Sequence, residues 1–165
     1  VSGGPSRRHL CAAATDAAGP ESVIVVAHQG RTDSAGWGGN LSRAAMWRGS
    51  AGTIIDGAAR DIDESSEIGY PVFASTATPR TARGRTEEAA WGGAIEFDGI
   101  AIGHGDYAIA DSTGVVFVPA DRIEEVLEVA EGITAVEVAM ARRIGEGRPV
   151  SEVMGADYEN LLERD

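Results

Sequence analysis

Ser22-Val-Ile-Val-Val-Ala27 and Gly52-Thr-Ile-Ile-Asp56, parted by Gly36-Trp-Gly-Gly-Asn-Leu41 and a helical run to Arg48, decide how the chain folds. Both runs are short and apolar on successive residues, as strands are when a parallel sheet is covered on both faces. The Gly-rich segment opens a helix over 41–48 that Gly49 stops. A helix from about Ser6 to Ala18, ended by Gly19-Pro20, comes before the first run. Pro71-Val-Phe-Ala-Ser75 continues the alternation as a further strand, with loop chemistry from Thr76 to Gly84. Repeated helix-strand units predict a parallel sheet.

Between Trp91 and Pro119 the rhythm shortens to strands at Gly93–Phe97, Ile100–Ile102, Tyr107–Ala110 and Val115–Val118, which read as a β meander. Asp121, with Glu124 three residues on, caps a long helix from Ile123 to about Ile144. Its apolar residues Ile123, Val126, Leu127, Ala130, Ile133, Val136, Met140 and Ile144 make one stripe. A final short helix is expected near Ser151 to Leu162, after Pro149. The sum is an α/β protein, a layered β/β/α arrangement in one domain over 1–165, with 147–165 as a C-terminal helical tail.

Composition narrows the function. The 165 residues carry 14 basic and 26 acidic side chains, a net charge of −12, which opposes binding to a phosphate backbone, so no nucleic-acid partner is expected. All the basic residues are Arg. Without a lysine, a Schiff-base aldolase, a pyridoxal-phosphate enzyme and a P-loop nucleotidase each lack their amine. Cys11 stands alone and the histidines are His9, His28 and His104, so no cysteine–histidine zinc cluster is written in the sequence and Cys11 reads as an inert thiol. No apolar stretch nears the roughly 20 residues of a membrane span and no secretory signal opens the chain, so a cytoplasmic location and no membrane partner are expected.

The chemistry concentrates in two turns that follow successive strands at one sheet edge. Gly38 and Gly39 free backbone N–H groups at a helix N-terminus, which favours an anion, and Arg60 can grip a carboxylate with two parallel hydrogen bonds. Asp61 offers a hard oxygen ligand to a divalent cation whose other positions water and substrate fill. No G-x-G-x-x-G pattern is present, so a nucleotide cofactor is not supported. His28, after a strand end, reads as a structural neighbour of this rim, Trp37 and Trp47 as packing residues, and the acidic run Asp61 to Glu67 as a solvated loop or helix start.

Three motifs in order, Trp37-Gly-Gly-Asn-Leu-Ser-Arg-Ala-Ala45, Arg48-Gly-Ser-Ala-Gly-Thr-Ile-Ile-Asp-Gly-Ala-Ala-Arg-Asp61 and Gly69-Tyr-Pro-Val-Phe73 with Thr78-Pro79, resemble the RraA-like family. That family holds the 4-hydroxy-4-methyl-2-oxoglutarate aldolases and the protein regulators of RNase E activity. Gly105-Asp106 and Ala110-Asp-Ser-Thr-Gly-Val-Val-Phe-Val-Pro119 resemble its closing strands, and the likeness runs from about His9 to Ile144.

The resemblance implies a swivelling β/β/α domain assembled as a homotrimer or a hexamer, with sites between subunits. It implies a divalent-metal-dependent lyase, of aldolase or oxaloacetate decarboxylase type, acting on a short 2-oxo acid through a pyruvate enolate. Arg60 would bind the pyruvate unit and stabilise the enolate, Gly38, Gly39, Asn40 and Leu41 would bind substrate through backbone amides, and Asp61 would hold Mg²⁺ or Mn²⁺. Glu137 of a neighbouring subunit would reach the ion through water. The alternative within the family is a non-catalytic regulator that binds a protein partner such as an RNase. Two departures stand out: the aldolases carry an acidic residue 21 positions before the arginine, where this chain has Gly39, and the family's opening elements have no counterpart before Val1.

Overall fold

A computed structural model describes residues 9–155. Among these, residues up to Pro119 form one compact unit and those from Ala120 a second. The first unit begins with helix α1 (Ala12–Ala17), strand β1 (Val23–Trp37), helix α2 (Gly39–Trp47), strand β2 (Gly52–Ala59), helix α3 (Ile62–Glu67) and strand β3 (Val72–Ala77). These strands pair in parallel in the order β1-β2-β3. The central strand, β2, is buried along its whole length and is apolar or small apart from Thr53 and Asp56, which bond to the Tyr70 hydroxyl and the His28 backbone N–H.

The core gathers Ile24, Trp37, Leu41, Ala45, Ile55, Ala59 and Tyr70 where α2 covers the sheet. Full burial of an aliphatic side chain such as Ile55 contributes about 1.5–3 kcal/mol. Trp37 is buried and satisfies its indole by donating from Nε1 to Ser42 Oγ at 2.9 Å. The polar residues of the interior are likewise paired: Thr53 Oγ1 lies 2.9 Å and Ser50 Oγ 3.3 Å from the Tyr70 hydroxyl. Burial pushes that phenol above its usual range, against the pull of Ser50 and Thr53.

β1 is far longer than its apolar opening suggests. It continues past Ala27 to Trp37 through register shifts against β2 between Val26 and Arg31, Arg31 and Ala35, and Ala35 and Trp37. The extra residues bulge, with Gln29 and Gly30 both at positive φ, so the alternating pattern that marks a strand is lost over 28–34. His28 sits inside this bulge. Its imidazole, buried, places Nε2 2.9 Å from the Ser34 carbonyl, and its backbone N–H donates to the Asp56 carboxylate. Gly57, at φ 157°, is needed because a Cβ there would come within 2.8 Å of both the His28 ring and the Arg31 carbonyl.

After β3 the chain forms two separate antiparallel hairpins, β4 (Ile95–Phe97) with β5 (Ile100–Ile102) and β6 (Tyr107–Ala110) with β7 (Val115–Val118). Asp98 and Gly99, both at positive φ, make the first two-residue turn. The expected meander is therefore divided. Between β5 and β6, Gly103 N–H donates to Asp106 Oδ2 at 2.7 Å and closes a turn, and no pairing joins these strands among the described residues.

The second unit holds a short 3₁₀ turn (Ala120–Arg122), helix α4 (Ile123–Gly145) and helix α5 (Val150–Val153). α4 matches the apolar stripe read from the sequence. The expected starting turn from Ser6 to Arg8 and the end of the last helix beyond Gly155 lie outside the described residues. No helix among the described residues is long and apolar enough to cross a membrane.

Candidate active site

The carboxyl ends of β1 and β2 lie side by side, Trp37 opposite Ala59, so the two turns that follow them meet. Such crevices outside the carboxyl ends of parallel strands are the usual ligand positions in open α/β sheets. The turns are stitched together by Arg60 N–H donating to the Trp37 carbonyl at 3.0 Å, and β3 joins through Thr78 N–H donating to the Ala59 carbonyl at 2.9 Å.

Gly38 caps α2 and faces the Arg60-Asp61 pair so closely that a Cβ would stand 3.0 Å from Arg60 Nε and from Asp61 Oδ2. Glycine is what lets both charged side chains fold back over the helix entry. Asp61 holds a left-handed backbone (φ 58°, ψ 39°) at the N-cap of α3, a conformation that Asp tolerates better than most residues. Its Oδ2 accepts from Gly39 N–H at 3.0 Å and lies 3.5 Å from Arg60 Nε. Asp61 Oδ1 has no hydrogen-bond partner among the described residues. Both side chains are more than a third exposed, at 39% and 38%, so their ion pair is worth about 0–1 kcal/mol and adds little to stability.

Of the amides expected to bind substrate, Gly39 N–H is taken by Asp61 and Leu41 N–H by the Gly38 carbonyl at 3.0 Å. Those of Gly38 and Asn40 make no hydrogen bond among the described residues. They line, with Leu10, Leu41 and Arg60, a recess of about 50 Å³. That volume holds about three or four water-sized groups, the scale of the end of a small carboxylic acid. A larger hollow of about 300 Å³ lies between α3 and β3 against Ile62, Ser65, Tyr70 and Phe73, but no Asp, Glu, His or Arg lines it. Of the two, the smaller recess is the one that Arg60 lines.

Sequence reasoning missed Glu64. The acidic run 61–67 suggests a solvated side chain, yet the Glu64 carboxylate lies over the entry of α2, where a Cβ on Gly39 would come within 2.7 Å of Glu64 Cδ. Arg43 Nε donates to Glu64 Oε1 at 2.8 Å, and Ser42 Oγ to Ser65 Oγ at 2.8 Å fastens α3 to α2 beneath it. The position that lacks an acidic side chain in the sequence is filled in space by one from the next helix. Asp61-x-x-Glu64 has the spacing of a capping box, and the missed signal is that neither side chain caps α3: no side-chain cap hydrogen bond is made.

Glu137 lies in α4, in the second unit. Cys11 keeps an unreactive thiol: burial first, and the Glu88 charge after it, push it up to about 12. A divalent ion fits the donors at Asp61 in one manner only. No group of three or more His, Cys, Asp or Glu side chains that could enclose a metal occurs among the described residues. Asp61, with one unpartnered oxygen, suits a hard cation that keeps water and substrate as its remaining ligands, as Mg²⁺ does.

Residues 1–117 match the family model described as RraA-like, Aldolase/RraA. The chain is 31% identical to a putative 4-hydroxy-4-methyl-2-oxoglutarate aldolase of Halalkalibacterium halodurans over 78% of its own length and 61% of that protein. Its fold is similar to an uncharacterized protein from Pseudomonas syringae pv. tomato (TM-score 0.79, 32% identity, 91% of this chain and 70% of that one). It is also similar to Streptomyces coelicolor RraAS2, an unusual member of the RNase ES inhibitor RraA protein family (TM-score 0.73, 27% identity, 85% and 73%). The chain spans 23%, 64% and 61% of the length of three curated relatives it matches.

Proposed function

The chain belongs to the RraA-like, Aldolase/RraA family, and on that premise we propose that it is a divalent-metal-dependent lyase that acts on short 2-oxo acids through a pyruvate enolate. The observation that carries this reading is that Gly38, Asn40 and Arg60 line one small recess while Asp61 is held at the same helix entry by Gly39 N–H. The aldolase name of a relative 31% identical supports the same class.

Substrate carboxylate would accept from the Gly38 and Asn40 N–H groups at the positive end of α2. The Arg60 guanidinium, donating from its fork, would hold the 2-oxo end and meet the negative charge that develops on the enolate oxygen. Asp61 would hold Mg²⁺ or Mn²⁺, kept in place by Gly39 N–H; the bound ion supplies polarisation of the 2-oxo group. With no lysine in the chain, no imine forms, so borohydride with substrate leaves the activity intact. As part of this proposal the protein assembles as a homotrimer or a hexamer, with Glu137 of a neighbouring copy reaching the ion through water.

Pyruvate release from oxaloacetate and from 4-hydroxy-4-methyl-2-oxoglutarate, measured with Mg²⁺ and again with excess chelator, tests the reading. Metal-dependent release is expected on at least one substrate. Equal rates with and without chelator would remove the metal, and no release from either would favour the second reading, a regulator that binds a protein partner. That alternative draws on the likeness to RraAS2 and on the net charge of −12, which suits a basic partner surface.

A further inference from the structure

We propose that His9 is the group that carries the proton to and from C3 of the pyruvate unit. The inference rests on the lyase reading above and adds a residue that reading does not use. His28 is shut inside the bulge of β1, whereas His9 walls the recess that Gly38, Asn40 and Arg60 also line. His9 Nδ1 lies 2.9 Å from the Leu10 carbonyl oxygen. A carbonyl only accepts, so this partner assigns the hydrogen to Nδ1 and leaves the lone pair of the neutral ring on Nε2. Nε2 makes no hydrogen bond among the described residues, and His9 is exposed, so the ring exchanges protons with water. The chain is turned to present it. Cys11 holds a left-handed backbone (φ 60°, ψ 2°) that a non-glycine residue rarely adopts. This turn is fixed from three sides: Cys11 N–H donates to Glu88 Oε2 at 2.6 Å, its thiol lies 3.8 Å from the Gly36 carbonyl, and Thr15 Oγ1 donates to its carbonyl at 2.8 Å. Gly36 also lines the recess, so the turn is fastened to the wall that His9 borders. Strained turns held in this way gather at functional sites.

The volume of about 50 Å³ decides which atom of the substrate His9 meets. With the carboxylate on the Gly38 and Asn40 amides and the 2-oxo group at Arg60, the recess has room for C3 and little more, and what lies beyond C3 stays outside. A proton carrier in the wall of the recess therefore serves C3. When carbon–carbon cleavage or decarboxylation leaves the enolate, C3 takes the proton from Nε2 of the His9 imidazolium and the product is pyruvate. The neutral imidazole then regains a proton from water. In the reverse sense the Nε2 lone pair takes a methyl proton from pyruvate, the C–H electron pair passes into the enolate, and in deuterated water the ring returns a deuteron to C3. The Nδ1 hydrogen stays on the Leu10 carbonyl throughout.

The experiment follows two rates above the spontaneous ones at saturating Mg²⁺: deuterium entry into the pyruvate methyl group, and disappearance of oxaloacetate. The first needs a proton carrier at C3. The second does not, because carbon dioxide leaves without a proton and the enolate, once released, takes one from water. His9→Gln keeps a polar side chain whose amide cannot carry a proton. Deuterium entry is expected to fall by at least about a hundredfold, the low end of what general acid–base help is worth, while oxaloacetate disappearance falls by a small fraction of that. In His9→Ala, free imidazole is expected to restore deuterium entry beyond its effect without protein, and to leave the rate of oxaloacetate loss where it was. A His9 that only shapes the recess would lower both rates together and gain nothing from imidazole. Deuterium entry unchanged in His9→Gln, both rates lowered alike, or no recovery of His9→Ala by imidazole overturns the proposal while the lyase reading stands. A wild type that neither exchanges nor consumes oxaloacetate overturns the two together.

Discussion

Arg60→Ala is expected to lower pyruvate release by about 10²- to 10³-fold, the usual worth of one preorganised donor at a developing oxyanion. Arg60 is the residue in the recess that carries a full positive charge, and among the described residues its side chain pairs only with Asp61, at 3.5 Å. The loss is therefore expected in kcat, with circular dichroism and the unfolding midpoint close to the wild type, because the exposed pair contributes at most about 1 kcal/mol. Arg60→Lys separates charge from geometry: an ammonium restores the charge but not the two parallel donors, so it recovers only part of the rate. Full recovery would show that charge alone is needed at 60, and an undiminished Arg60→Ala would remove the residue from the chemistry.

Asp61→Asn gives the second large effect. Asn is isosteric, is among the few residues at ease at φ 58°, and can still accept from Gly39 N–H through its amide oxygen. What it removes is the anionic oxygen available to a cation. Mn²⁺ affinity, followed by the water-proton relaxation of the titrated ion, is expected to fall by at least about a hundredfold, since even the outer partners of metal ligands are worth about 10- to 100-fold. Turnover at fixed Mg²⁺ should fall with it. Unaltered Mn²⁺ binding in a folded Asp61→Asn protein would place the ion elsewhere.

Much of this arrangement is legible in the sequence. The apolar runs at 23–27 and 52–56 mark the parallel strands; β2 is buried on both faces, whereas over 23–27 Ile24 is buried, its neighbours are half-buried and Ala27 is exposed. Gly38-Gly39 and Arg60-Asp61 are legible as a pair because they follow successive strands, which places them at one edge. The bulged part of β1, from His28 to Ala35, is not legible: its registers shift three times against β2 and no residue period survives. The separation of the two hairpins was hidden for a different reason. Short strands at close spacing look the same whether or not β5 and β6 pair, and what decides is the turn that Asp106 closes on Gly103. Glu64 was obscured by its neighbours, since a carboxylate in a run of acidic residues looks solvated until a facing glycine shows what its side chain fills.

The central claim is that Arg60 and Asp61 stabilise a pyruvate enolate, and exchange of the pyruvate methyl protons tests it without a choice of substrate. Pyruvate in deuterated water, with the protein and Mg²⁺, is expected to lose its methyl proton signal well above the spontaneous rate, and to stop doing so on addition of chelator or in Asp61→Asn and Arg60→Ala. A wild-type protein that leaves the methyl signal at the spontaneous rate in saturating Mg²⁺ would contradict the account.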